Sequence, residues 1–155
     1  MRKQIITENE SDTYKLGAHI GARLIGGEIL VLESDLGGGK TALARGIAEG
    51  IGSSDAVSSP TFTISHVYTG KKLTMHHYDF YRLGELGIMS EELQEVINEL
   101  DSVAVIEWPE AASELLPPAR TIHIKIDKDV EAVDKRLFDV TLPESLYYVL
   151  EGVEA

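Results

Sequence analysis

A lysine and a threonine, Lys40-Thr41, close a run of three glycines, Gly37-Gly38-Gly39. Residue types in that order can hold a polyphosphate. Glycines let successive backbone N–H groups turn inward around phosphate oxygens, a lysine reaches the β and γ oxygens, and a hydroxyl ligates magnesium. The stretch Ser34-Asp35-Leu36-Gly37-Gly38-Gly39-Lys40-Thr41 fits the phosphate-loop pattern GxxxxGK[ST] except at its first position, where serine stands for glycine. Serine is small, but it lacks glycine's access to positive φ. The alternative is a plain glycine-rich connection that binds nothing, and the entropy that glycine loses on folding disfavours it. Glu107 ends an apolar run, where the second acidic residue of a P-loop enzyme would stand beside magnesium or the attacking water; a solvated carboxylate at a strand end fits equally well. Asp79 also ends an alternating run and reads either way, as a site residue or a turn residue, while Ser59-Pro60-Thr61 on its own reads as a bend.

The elements that must position these groups are visible on both sides of them. Glu28-Ile29-Leu30-Val31-Leu32 is a nearly continuous apolar run of the kind a buried central strand carries. Leu43, Ala44, Ile47, Ala48 and Ile51 then recur at helical spacing, so the glycines lie between a strand and the N-terminus of a helix whose dipole favours anions. An earlier helix is expected over Ser11–Ile25, capped by Ser11 or Asp12 and ended by Gly26-Gly27. Alternation over Thr61–Tyr68 and again over Leu73–Asp79, with Thr69-Gly70-Lys71-Lys72 between, predicts a hairpin. A helix is expected over Glu91–Leu100 and a second buried strand over Val103–Ile106 ahead of Glu107 and Pro109. Thr121–Ile126 and Leu137–Leu142 look like a further strand pair. These elements predict a three-layer α/β domain over residues 1–155, with a P-loop NTPase-like mixed sheet, parallel at the phosphate loop and extended by antiparallel hairpins.

Taken in order, Asp35-Leu36-Gly37-Gly38-Gly39-Lys40-Thr41, Ser59-Pro60-Thr61-Phe62, His77-Tyr78-Asp79-Phe80-Tyr81-Arg82-Leu83 and Ile106-Glu107-Trp108-Pro109-Glu110 resemble the TsaE (YjeE) family. That family comprises small bacterial P-loop ATPases required for threonylcarbamoyladenosine modification of tRNA. The resemblance runs from the first helix to about Glu110, and its last three motifs are more specific than the phosphate loop; the final third of the chain matches only in general character. The family usually has glycine where Ser34 stands. The resemblance implies ATP or ADP with Mg2+ as ligands, held by Asp35, Leu36, Gly37, Gly38, Gly39, Lys40, Thr41 and Ala42, with Thr61 in a switch-like segment near the γ-phosphate and Trp108 packed close by. It implies Mg2+ at Thr41, Asp79 and Glu107, and catalysis by Glu107, orienting water or metal, together with Lys40. It further implies the proteins TsaD and TsaB as partners and tRNA reached only through their complex.

Composition bounds what else the chain can do. With 26 acidic against 14 basic side chains the formal charge is −12, which disfavours direct binding to a phosphate backbone. There is no cysteine, hence no disulfide or thiolate chemistry, and no stretch is long and apolar enough to span a bilayer, so a cytoplasmic protein without membrane contact is expected. Adjacent His76 and His77 would point to opposite faces of a strand and cannot easily share a metal. Arg82 is a salt-bridge or packing residue before it is an arginine finger in cis, and Tyr147-Tyr148 reads as a docking segment or core edge. Two rival functions remain at this level. A small-molecule kinase would need an acceptor pocket, of which no motif is visible; a non-catalytic nucleotide switch would not need Glu107.

Overall fold

The computed structural model describes residues 1–35, 38–55, 65–81, 86–87 and 89–154. Its frame is a sheet of seven strands among the described residues: β1 (Arg2–Thr7), β2 (Ile29–Glu33), β3 (Ser65–Thr69), β4 (Thr74–Asp79), β5 (Ser102–Glu107), β6 (Thr121–Lys128) and β7 (Arg136–Thr141). The spatial order is β1-β7-β6-β2-β5-β4-β3. The four central strands β6, β2, β5 and β4 run parallel, and antiparallel β3 and β7 flank them through hairpins, as the alternating segments predict. β2 and β5 are buried on both faces except at Glu33, which is why they read as continuous apolar runs.

Successive residues of the central strands feed two cores. Leu30, Leu32, Val103 and Val105 face α1 (Glu10–Gly21) and α2 (Lys40–Gly50), whereas Ile29, Val31, Ala104 and Ile106 face α3 (Met89–Asn98) and a 3-10 helix over Pro109–Leu115. This is the three-layer arrangement expected. Because α2 follows β2 directly, its N-terminus comes to the carboxyl end of the parallel strands, the edge where open α/β sheets bind ligands.

The departures from expectation are local. α1 is capped by Asn9, whose Oδ1 accepts from the Asp12 N–H at 2.9 Å, so Ser11 and Asp12 lie inside the first turn. That helix ends at Gly21, and the turn after it is held by the Glu28 carboxylate, which accepts from Ile25 and Gly26 N–H at 2.9 and 2.7 Å. α3 stops at Asn98, leaving Leu100 exposed. β1 was not expected: only Ile5 and Thr7 of its six residues face the core, and its order comes from pairing with β7. Tyr147 and Tyr148 pack on the α1–α2 core, with Tyr148 donating from its hydroxyl to Glu28 at 2.6 Å, so they form a core edge. Among the described residues no helix is long and apolar enough to cross a membrane.

Candidate functional site

The register of the parallel strands brings the candidate carboxylates together. Glu107 pairs with Leu32 of β2 on one side and with Asp79 of β4 on the other, so the two carboxylates end neighbouring strands at the same level. Alternation sets the face: Val103, Val105 and Glu107 share the α2 side of β5, as Met75, His77 and Asp79 share it on β4. α2 then delivers Lys40 as its first residue into the same corner.

Lys40 is 7% exposed, and its ammonium stands 3.6 Å from Glu107 Oε1, 3.5 Å from the Ser34 carbonyl and 4.4 Å from the centre of the Trp108 ring. A buried ammonium is tolerated only with such partners, and here a carboxylate, a carbonyl dipole and an aromatic face share it. The other Glu107 oxygen, Oε2, lies 2.7 Å from His77 Nε2, with His77 fully buried. A carboxylate only accepts, so the imidazole donates from Nε2. Glu107 is thus held at both oxygens, its direction fixed by Lys40 and His77.

Asp79 is a turn residue. It ends a strand beside Glu107, and its Oδ1 accepts from the Tyr81 N–H at 2.9 Å, closing the turn. That turn places the Tyr81 ring 4.8 Å from the Trp108 ring. Trp108 itself adopts φ 56°, a left-handed conformation that costs a non-glycine residue about 1–3 kcal/mol and marks a constrained site.

On the loop side, Gly39 caps α2 at φ 104° with no side-chain cap bond, so the first amides of the helix remain open to an anion. Ser34 Oγ donates to the Asp35 carbonyl at 2.8 Å and lies over Gly38, where an added Cβ would come within 2.1 Å of it. Thr41 follows Lys40 in the first helical turn and Ala42 is buried behind it. Leu36 and Gly37, and also Thr61 with the rest of Ser59-Pro60-Thr61-Phe62, and Arg82, lie outside the described residues. Among the described candidates, Ser34, Lys40, Glu107 and Trp108 are in direct contact, Asp79 is register neighbour to Glu107, and Asp35, Gly38, Gly39, Thr41 and Ala42 belong to the same loop and helix start.

These residues form a corner at the start of α2 with a buried lysine and a buried carboxylate side by side. His77 Nδ1 and Trp108 Nε1 are buried without a hydrogen-bond partner, and buried polar groups are rarely left so. Three participants escaped the sequence reading. His77 was read as not shared with a metal and received no role; Tyr81 is the ring on Trp108; and Arg136, at the start of β7, donates from Nε to the Gly38 carbonyl at 3.1 Å. The family motif around Asp79 contained His77 and Tyr81, but Arg136 carried no local signal, since 98 residues separate it from Gly38.

The family model described as "Threonylcarbamoyl adenosine biosynthesis protein TsaE" matches residues 7–137. The chain belongs to the TsaE family. The tRNA threonylcarbamoyladenosine biosynthesis protein TsaE of a Nostoc species is 36% identical over 129 residues, spanning 81% of this chain and 76% of the relative. That of Treponema pallidum is 37% identical over 126 residues, spanning 80% of this chain and 92% of the relative. Among solved structures, the crystal structure of Bacillus subtilis YdiB superposes with a TM-score of 0.75 at 29% identity, covering 99% of this chain and 94% of that one. The family match therefore extends past Glu110 into β7, further than the motifs alone indicated.

Proposed function

We propose that this TsaE chain binds ATP and ADP with Mg2+ and hydrolyses ATP slowly in the service of a tRNA threonylcarbamoyladenosine-modifying complex that contains TsaD and TsaB. The observation that carries the reading is the Lys40–Glu107 contact at 3.6 Å, made at the N-terminus of α2 by a buried carboxylate that His77 orients. Lys40 would leave Glu107 for the β and γ oxygens, and the open amides at Gly39–Thr41 would receive the phosphates. Thr41 would offer its hydroxyl, with Asp79 and Glu107, to magnesium, whose contribution is to neutralise charge on the transferred phosphoryl group.

Glu107 would accept a hydrogen bond from the attacking water. Water's oxygen bonds to the γ-phosphorus, the bond from that phosphorus to the bridging oxygen breaks, and ADP, phosphate and a proton are released. The Trp108 ring lies over the Lys40 ammonium at 4.4 Å, and the Tyr81 ring packs on it at 4.8 Å. A pure nucleotide switch is the weaker reading, because it does not need a carboxylate fixed at both oxygens beside the lysine.

The formal charge of −12 makes tRNA a poor direct ligand, so the reading places tRNA on the partner complex in the cytoplasm. Steady-state phosphate release by the chain alone, with tRNA, and with TsaD and TsaB tests it. The expected order is slow, unchanged and stimulated, with Lys40→Ala inactive in every mixture. Stimulation by tRNA without the two proteins, or wild-type activity in Lys40→Ala, refutes it.

A further inference from the structure

A phosphate loop that turns its N–H groups inward must turn carbonyls outward, and those carbonyls need partners of their own. The Gly38 carbonyl has one: Arg136 donates to it from Nε at 3.1 Å. The same guanidinium donates from Nη1 to the Val133 and Lys135 carbonyls at 2.6 and 3.0 Å. Those two residues belong to the turn between β6 and β7, which closes on itself through Asp129. The Asp129 N–H donates to the Lys135 carbonyl at 3.2 Å, and Oδ1 accepts from Glu131 and Ala132 N–H at 2.8 and 3.1 Å. Those amide donors hold the Asp129 carboxyl below the usual carboxylate range. Arg136 is therefore anchored on an ordered turn and reaches across to the glycine loop. A carbon added at Gly39 would lie 3.7 Å from its Nε and 3.9 Å from its Cγ, so the side chain runs along the Gly38–Gly39 peptide.

We propose that Arg136 is a positioning residue for the nucleotide phosphates: by drawing the Gly38 carbonyl outward it aims the Gly39 N–H into the loop. The peptide unit is planar and trans, so its C=O and N–H point in opposite directions, and fixing one fixes the other. Gly39, at φ 104°, supplies the conformation the turn requires but nothing that selects it, since glycine visits many others. A guanidinium anchored at three carbonyls selects it before ligand arrives, which removes an ordering cost from binding. Its charge beside the loop also favours an anion. This inference rests on the nucleotide reading above.

The test uses the full chain as wild type, R136K and R136Q. Mg-ADP is titrated by calorimetry, ATP turnover supplies KM and kcat, and the Gly39 amide is followed by 15N NMR without nucleotide. R136Q should weaken Mg-ADP on the order of tenfold or more, the range for a lost charge-assisted hydrogen bond. R136K, which keeps the charge but not the fork, should recover only part. The loss should fall on KM more than on kcat, and in R136Q the nucleotide-free Gly39 amide should shift and exchange faster. Tight wild-type binding that R136Q leaves intact overturns the clamp alone, as does a lower melting temperature with an unmoved Gly39 amide. A wild-type chain that does not bind Mg-ADP overturns the nucleotide reading and this proposal with it.

Discussion

Helix α2 meets the rest of the protein in two unlike ways. Along its flank it lies against α1 with no side chains between them: a Cβ at Gly46 would come within 2.1 Å of the Tyr14 carbonyl, one at Gly50 within 2.4 Å of Ala18, and one at Gly17 within 2.3 Å of Leu43. Backbone touches backbone at those glycines, and the ion pair that joins the two helices, Arg45 with Glu10 at 3.9 Å, is exposed. At its N-terminus the same helix holds a buried ammonium next to a buried carboxylate, near an indole N–H and an imidazole nitrogen without partners. The contrast shows a division of labour. The seam fixes where α2 stands, so its tip can keep polar groups unmet, and functional sites commonly hold strain and unpaired groups at the expense of stability.

The largest effect expected from breaking the tip is on turnover. Glu107→Gln keeps the shape of the side chain but removes the charge that orients water, and loss of a preorganised group of this kind lowers kcat about 10²–10³-fold. Mg-ADP binding should survive, while the melting temperature should fall, because the buried Lys40 ammonium loses its carboxylate partner. Phosphate release combined with calorimetry checks this, and undiminished turnover would transfer the reading to a switch.

Breaking the seam should lower stability while leaving every charged group of the tip in place. Gly46→Ala forces the two helices apart, an overpacking that costs about 1–3 kcal/mol and, for a chain this size, lowers the melting temperature by about 2–12 °C. Thermal denaturation reads it directly. Well below that melting point, Mg-ADP should still bind. A melting temperature equal to wild type would mean that the helices can separate freely and that the seam does not fix the tip.

A smaller effect sharpens the comparison inside the loop. Gly38→Ala puts a methyl 2.1 Å from Ser34 Oγ and 2.7 Å from Ser34 Cβ, with the Asp35 carbonyl at 3.0 Å. It should weaken Mg-ADP by roughly tenfold, about 1.4 kcal/mol. Adding Ser34→Gly removes the first two contacts and should restore part of the loss, whereas Ser34→Gly alone should leave affinity similar or tighter. A double variant as weak as Gly38→Ala would show that the loop's backbone, and not the serine, is what excludes the methyl.

What was legible in the sequence follows from how far apart the partners lie. Strand, glycines, Lys40-Thr41 and helix are contiguous, so the loop and its strand–helix context could be read together. Glu107 and Asp79 were readable as strand ends, but that they stand in register depends on β4 and β5 pairing in parallel, which no local pattern records. The His77–Glu107 bond spans 30 residues and the Arg136–Gly38 bond 98, and nothing near either arginine or histidine announces them. β1 was missed because its partner, β7, is at the far end of the chain. The seam glycines recur four residues apart in each helix, a pattern visible in the sequence, yet without the fold it signals only poor helix propensity.

The smallest expected effect comes from a residue outside both regions, and it controls for them. His76 neighbours His77 on β4 but points to the opposite face, stacked 6.5 Å from Tyr78. Burial lowers its pKa below the ordinary 6.5, against the raising influence of Glu99, Glu92 and Asp101. With the folded value depressed, the unfolded chain takes up the proton first as pH falls. Stability is therefore lost as pH drops from about 6.5 through the folded pKa, and is fully present above 6.5. The group is partly solvated, so the loss is small. His76→Gln should flatten the decline in urea midpoint between pH 7.5 and pH 5 relative to wild type. Mg-ADP affinity at pH 7.5 should not change, since this face of β4 carries no group of the Lys40–Glu107 corner. A shift in nucleotide affinity would mean that the two faces of the strand are coupled, and that the tip of α2 is less insulated than its glycine seam implies.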